Sequence, residues 1–155
     1  RAYDLAVIGA GSAGFSAAIT AANLGARVAL IGHGTIGGTC VNVGCVPSKT
    51  LLRAAEAVHA ARSVTRFPGL AGAATLTDWS ALMAAKDELV ATLRHQKYAD
   101  LLPGYETIDY IEGQARFADD MLMVSGAPLR ADRIVIATGA APRCRTSPES
   151  PMFRS

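Results

Sequence analysis

Cys40 and Cys45 stand closest to a recognisable chemistry in this chain. They occur in Cys40-Val41-Asn42-Val43-Gly44-Cys45, a C-x-x-x-x-C spacing. On a regular helix, residues five apart stand about 140° apart around the axis and about 7.5 Å along it. Their Cα atoms are then roughly 8.7 Å apart, beyond the ~7 Å limit for a disulfide. A bond between them requires a distorted backbone. Gly44 permits one, and Pro47 lets a helix start just beyond. Three readings stay open. A zinc site wants shorter spacing and further Cys or His ligands, and His59 and His95 are isolated. Two inert buried thiols are the second reading. The third is a redox-active dithiol beside a bound cofactor, one thiol exposed to substrate and one held against the electron donor. Lys49, one helical turn past Cys45, favours a thiolate there or is a solvated surface lysine.

A glycine loop precedes the pair. Gly9-Ala10-Gly11-Ser12-Ala13-Gly14 is G-x-G-x-x-G between an apolar run and a helix-like segment. Gly9 permits the tight turn, Gly11 lets a pyrophosphate approach the backbone, and Gly14 lets the helix pack on the sheet. The helix start offers free N–H groups and a partial positive charge to the phosphates. Nucleotide binding follows; the alternative is a Gly-rich turn in an ordinary α/β fold. One part of the fingerprint is missing. The second strand should end in Asp or Glu, which binds the ribose hydroxyls. Here it ends Leu30-Ile31-Gly32, and no acid occurs between Asp4 and Glu56. His33 is a candidate substitute, against a solvated loop histidine. A carboxylate placed at Gly32 is expected to tighten binding by roughly tenfold, because charge-assisted hydrogen bonds contribute about 1.5–3 kcal/mol.

These groups need a scaffold. Residues 4–9 form a short apolar run that suits a buried parallel strand. Residues 12–24 read as a helix, with Gly25 where its C-terminal cap belongs. Residues 27–31 are a second strand, which completes a right-handed βαβ unit. A Gly-rich stretch over 32–48 leads to an Ala-rich helix at 50–62 and a loop at 63–77, with Pro68-Gly69 as a turn. Asp78 caps a long helix running to about Leu102, with Leu82, Leu89, Leu93 and Leu101 in its apolar stripe and Pro103-Gly104 ending it. Strands are expected at 107–112, 113–117, 121–124 and 133–137, with Asp119-Asp120 as a hairpin turn. The last strand runs into Thr138-Gly139.

The 155 residues fit one domain or a large piece of one. Half are apolar and 18% charged, so a substantial core is available and whole-chain disorder is excluded. A net charge of +2 gives no argument for a nucleic-acid or membrane partner. The uncharged stretch 5–26 is interrupted by Gly9, Gly11, Gly14, Ser16, Thr20, Asn23 and Gly25, which argues against a spanning helix or an export signal. A cytoplasmic location is therefore expected, where paired cysteines are more often catalytic than structural.

The glycine loop and Gly37-Gly38-Thr39-Cys40-Val41-Asn42-Val43-Gly44-Cys45-Val46-Pro47-Ser48-Lys49 together resemble the flavin-dependent pyridine nucleotide–disulfide oxidoreductases, over about residues 3–141. Within that family, Gly34-Thr35-Ile36-Gly37-Gly38-Thr39-Cys40, Leu93-Arg94-His95-Gln96-Lys97-Tyr98 and Gly113-Gln114-Ala115-Arg116-Phe117-Ala118-Asp119-Asp120 look most like the mercuric reductase branch. Dihydrolipoamide dehydrogenases are the nearest competitor. The resemblance implies an α/β, Rossmann-like FAD-binding domain with a central parallel sheet, helices and a small antiparallel β-meander. It implies FAD with its pyrophosphate over Gly9, Gly11 and Gly14, and contacts from Gly34, Gly38, Thr39, Lys49, Ala115, Thr138 and Gly139. It also implies reduction by NADPH and a Cys40–Cys45 disulfide, with Cys45 facing the flavin and Cys40 outward. The implied substrate is Hg(II) held by thiolates, or a disulfide, with transient Hg(II) ligation by Cys40 and Cys45; soft thiolates suit this soft metal. The complete family enzyme is a homodimer.

The NADPH domain, the rest of the FAD domain and the dimerisation domain do not occur in these residues. The expected organisation is an N-terminal portion of the FAD-binding domain over 1–141 and a divergent, disordered tail over 142–155, inactive alone and holding neither FAD nor NADPH tightly. The tail, with three Pro, three Arg and three Ser, has no strand or helix period. A shifted reading frame or a damaged gene copy would account for Cys144-Arg145-Thr146-Ser147-Pro148 and leave Cys144 without a catalytic role. The alternative from another class is a non-enzymatic dithiol or metal-binding remnant.

Overall fold

The structure is a computed structural model that describes residues 2–140. The expected tail over 142–155 and Cys144 lie outside them. Strand β1 (Ala2–Ile8), helix α1 (Ser12–Asn23) and strand β2 (Val28–Gly32) form the βαβ unit. β2 reads VALIG and is buried at every position, as a central parallel strand covered on both faces should be. Helix α1 ends where Gly25 takes a positive φ of 85°, a conformation that costs glycine little.

Strands β3 (Ile108–Glu112), β4 (Ala115–Ala118), β5 (Met121–Val124) and β6 (Ala127–Ile136) complete one six-stranded sheet of order β3-β2-β1-β6-β5-β4. β1 pairs in parallel with β2 and β6, and β2 pairs in parallel with β3. β5 runs antiparallel to β4 and β6. The central parallel sheet and the meander are thus continuous. β6 is one ten-residue strand, six residues longer at its start than the sequence pattern suggests. Its first part pairs with β5 and its remainder with β1. The hairpin before it turns at Ser125 and Gly126, with φ of 50° and 87°. Positive φ at both turn positions matches the right-handed twist of the flanking strands. The expected turn at Asp119 is present, also at φ 50°.

Side chains alternate across a strand, so the sheet carries two apolar layers. Val7, Val28 and Leu30 pack on one face with Phe15 and Ala18 of α1 and with Ile108. Ala6, Ala29 and Ile31 pack on the other with Leu122 and Val124. No helix among the described residues is long and apolar enough to cross a membrane.

The segment between β2 and β3 departs most from the sequence pattern. A short helix α2 (Gly38–Asn42) lies within the expected Gly-rich loop, and α3 (Cys45–Ser63) begins at Cys45, five residues early. Pro47 is tolerated because the first turn of a helix needs no partner for its N–H. α4 (Trp79–Lys97) starts at Asp78, whose carboxylate accepts from the Ala81 N–H at 3.0 Å. It stops at Lys97, short of Leu102, because Tyr98 leaves helical geometry with φ −137° and ψ −69°. A 3-10 turn over Ala99–Gly104 follows. The inner face of α4 centres on Val90, while Leu89 and Leu101 are exposed. Those two leucines are therefore not part of the buried stripe.

Candidate functional site

A cleft of 530 Å³ opens at the carboxyl ends of β1, β2, β3 and β6. Ligands bind open α/β sheets at such strand ends, where the order of strands reverses. Along it lie Gly9, Gly11, Gly34, Gly38, Thr39, Cys40, Ala115, Thr138 and Gly139 of the expected site. Gly14, Cys45 and Lys49 are not in its lining. Gly14 instead packs beneath the loop: a Cβ there would fall 1.7 Å from the Gly9 carbonyl oxygen.

No side chain caps α1 and no acidic residue stands in its first turn. Ser12 and Ala13 of its first turn line the cleft, where the N–H groups that a helix start leaves without partners are available to an anion. Gly11 is in extended backbone, and a Cβ there would meet only the Gly38 Cα, at 3.6 Å. Gly37 and Gly38 lie against this loop. The Gly37 N–H donates to the Ala10 carbonyl at 2.8 Å, and Gly11 and Gly37 form a parallel bridge. A Cβ on Gly38 would fall 2.8 Å from the Gly11 Cα. The group these glycines admit is the glycine loop's own backbone, which draws the cysteine segment onto the cleft.

The chain breaks between the two cysteines. α2 ends at Asn42, Val43 and Gly44 leave helical geometry, and α3 restarts at Cys45. The break brings the two thiols near enough to act on each other's ionisation, where an unbroken helix would hold them apart. Both are exposed free thiols. Asn42 braces the break: its side-chain amide donates to the carbonyls of Ile36 and Gly38, each at 2.9 Å. The Arg94 guanidinium of α4 donates to the Asn42 amide oxygen at 3.2 Å. Tyr98 wedges behind, edge-on to Phe15 with centroids 5.0 Å apart and its hydroxyl 2.8 Å from that of Ser12.

The Cys40 thiol is held above its ordinary range. The hydrogen bond with the Cys45 side chain is the main cause, followed by desolvation and the Cys45 charge. The Cys45 N–H and the Lys49 ammonium act in the opposite direction. Alkylation of the reduced chain at Cys40 should therefore accelerate only above the pH range of an ordinary thiol. Lys49→Met should move that midpoint higher still, since it removes a charge that favours the thiolate. Alkylation rates measured against pH for both proteins check this; an unchanged midpoint would exclude an action of Lys49 on Cys40.

The sequence pattern passed over Tyr110, Gln114 and Thr35, which also line the cleft. The strand-end rule could have found Tyr110, near the carboxyl end of β3. It also corrects the expectation at Gly32. A Cβ on Gly32 would lie 2.6 Å from the Tyr110 hydroxyl oxygen and 2.8 Å from the Ala10 Cβ. A carboxylate there has no open space to enter, so Gly32→Glu should disturb the strand end rather than tighten binding. His33 lines the cleft but is exposed.

This arrangement has counterparts of known kind. Residues 3–152 match the family described as pyridine nucleotide-disulphide oxidoreductase. The chain is 52% identical over 141 residues to a mercuric reductase of Lysinibacillus sphaericus, covering 90% of this chain and 26% of that protein. It is 49% identical over 146 residues to one of Streptomyces lividans, covering 90% and 31%. Among solved structures, the HOCl-induced flavoprotein disulfide reductase RclA from Escherichia coli superposes with a TM-score of 0.74 at 34% identity, over 93% of this chain and 30% of that one. The chain thus spans between a quarter and a third of the length of these relatives. With a glycine loop and a paired-cysteine break folded onto one strand-end cleft, and a family match across nearly all its residues, the chain belongs to the pyridine nucleotide-disulphide oxidoreductases.

Proposed function

We propose that this chain is the N-terminal portion of the FAD-binding domain of an NADPH-dependent mercuric reductase, which converts Hg(II) to Hg(0) with a Cys40–Cys45 redox pair. The observation that carries this reading is Cys40: it lines the strand-end cleft, and Cys45 stands near enough to raise its thiol pKa. The glycine cradle fits a dinucleotide pyrophosphate, since Gly11 leaves its approach open and the uncapped start of α1 supplies donors. Bound FAD supplies two-electron chemistry, drawing on NADPH, and Hg(II) needs two electrons to become Hg(0).

The chain's own residues do the rest. Gly9, Gly11 and Gly14 shape the loop, and Gly34, Gly38, Thr39, Ala115, Thr138 and Gly139 line the path of the extended cofactor. Cys40 meets Hg(II), and ligand exchange transfers the metal from its carrier thiols to the Cys40 and Cys45 sulfurs. Each sulfur gives up its proton as it binds, so ligation is favoured as pH rises. Lys49 assists by favouring the Cys40 thiolate. The complete protein is a homodimer in this reading. Apolar residues left exposed on β6, such as Ile136 at 65%, suit a portion that further domains cover.

The test is a titration of the reduced chain with Hg(II), followed by proton release and by loss of alkylatable thiols. One Hg(II) should occupy both thiols of the pair. Binding of one metal per single thiol, with no pairing, would overturn the reading. Extension of the same chain to the full length of its relatives should give NADPH-dependent loss of Hg(II).

A further inference from the structure

We propose that the Tyr110 hydroxyl recognises the adenosine ribose, in the place where the glycine-loop fingerprint calls for a strand-end carboxylate. The proposal rests on reading the cleft as a dinucleotide site. β2 ends at Gly32 without an acid, so the ribose of a nucleotide held by the glycine loop lacks its usual acceptor.

The register brings Tyr110 to that place. Leu30 pairs with Tyr110 and Gly32 with Glu112, so the four side-chain positions share one face of the sheet. From its position two residues before the end of β3, the tyrosine ring reaches along the sheet to Gly32 at the end of β2. Its hydroxyl oxygen comes within 2.6 Å, and its ring edge within 3.0 Å, of where a Gly32 Cβ would stand. The Ala10 Cβ of the glycine loop lies 2.8 Å from the same point. Strand end, loop and phenol therefore converge, and glycine at position 32 is what leaves room for the phenol. Tyr110 lines the cleft, and its hydroxyl makes no hydrogen bond among the described residues.

The neighbouring candidates fit less well. His33 also lines the cleft, but it lies beyond the end of β2 and is exposed. Glu112 is exposed and does not line the cleft. Burial, and then the Glu112 carboxylate, hold the Tyr110 phenol above its ordinary range. At neutral pH it therefore keeps its proton. It can donate to one ribose hydroxyl and accept from the other, where a carboxylate could only accept.

The test uses ADP, the part of FAD that a glycine loop grips, and its 2′,3′-dideoxy analogue. Each is titrated calorimetrically into the 155-residue chain, Tyr110→Phe, His33→Ala and Gly11→Ala. The wild type should prefer ADP by about two- to tenfold, the range of one net hydrogen bond. Tyr110→Phe should erase that preference by weakening ADP to the level of the analogue, while His33→Ala retains it. Thermal melts should show Tyr110→Phe folded, since it keeps the ring. A preference that survives Tyr110→Phe, or that His33→Ala erases, overturns the proposal. If the wild type does not discriminate while Gly11→Ala still weakens ADP, the cleft reading stands and the role of Tyr110 falls. If Gly11→Ala has no effect on ADP, or no binding is seen even at millimolar ADP, the cleft reading fails and takes the proposal with it.

Discussion

Cys40→Ser will abolish both reversible disulfide formation and two-thiolate ligation of Hg(II). The pair works as a unit because the break at Val43-Gly44 brings the two thiols near each other. Serine at position 40 keeps the volume and a hydrogen bond but provides no soft ligand, so Hg(II) retains only the Cys45 sulfur. Fold stability should change little, since Cys40 is exposed and fills no core space. Cys45→Ser should have the same effect on pairing. Thiol counting with and without reductant is the measurement, in a Cys144→Ser background so that the pair alone is counted. In the parent of these variants, two thiols should disappear on oxidation and return on reduction. Two thiols that never pair at any applied potential would refute the redox role and leave a plain surface dithiol.

The second large effect separates two glycines of one motif. Gly14→Ala should destabilise the fold, whereas Gly11→Ala should leave the fold intact and weaken nucleotide binding. At Gly14 the added methyl would fall 1.7 Å from the Gly9 carbonyl oxygen, and neither partner can move without shifting backbone. Overpacking typically costs about 1–3 kcal/mol, and a clash with backbone belongs at the upper end or beyond. A loss of about 3 kcal/mol lowers the Tm of a chain of this size by roughly 6–12 °C. Gly9→Ala should behave like Gly14→Ala, because its Cβ would lie 2.2 Å from the Ala137 carbonyl oxygen and its φ is 121°. Gly11→Ala meets only the Gly38 Cα, at an ordinary 3.6 Å, in extended backbone that any residue adopts. Its methyl projects where a pyrophosphate would approach, so ADP should bind about tenfold more weakly or worse, equivalent to about 1.4 kcal/mol. Melting curves and titrations on the three variants check the division. A Gly14→Ala chain with an unchanged Tm would show that the helix does not pack on the loop as closely as described.

What was legible in the sequence was carried by local rules. The glycine loop between strand and helix, the Asp78 cap, the Asp119 turn and the short apolar runs of β1 and β2 each depend on residues within a few positions of one another. Their physical causes, backbone freedom, terminal hydrogen bonds and burial of a short continuous apolar run, act at that range. The cysteine spacing likewise required a break for any bond between the pair, because helix geometry holds the two Cα atoms too far apart.

Tertiary contacts decided the remainder. Helix α2 stands in a stretch whose glycines read as loop, because Gly37 and Gly38 are needed for a backbone approach to Gly11 that no local pattern reveals. α4 stops at Tyr98 because that side chain turns inward against Phe15 and Ser12, which lie more than eighty residues earlier. β6 runs longer than its apolar core because its start borrows β5 as a partner. Tyr110 offered no motif at all. Its place at the strand-end cleft follows from the pairing of β3 with β2, and its reach toward Gly32 from the absence of a side chain there. Sequence by itself determined which residues carry chemistry and the type of backbone each requires. Only the fold decided which of them share a cleft, since that depends on strand order and register between segments some eighty residues apart.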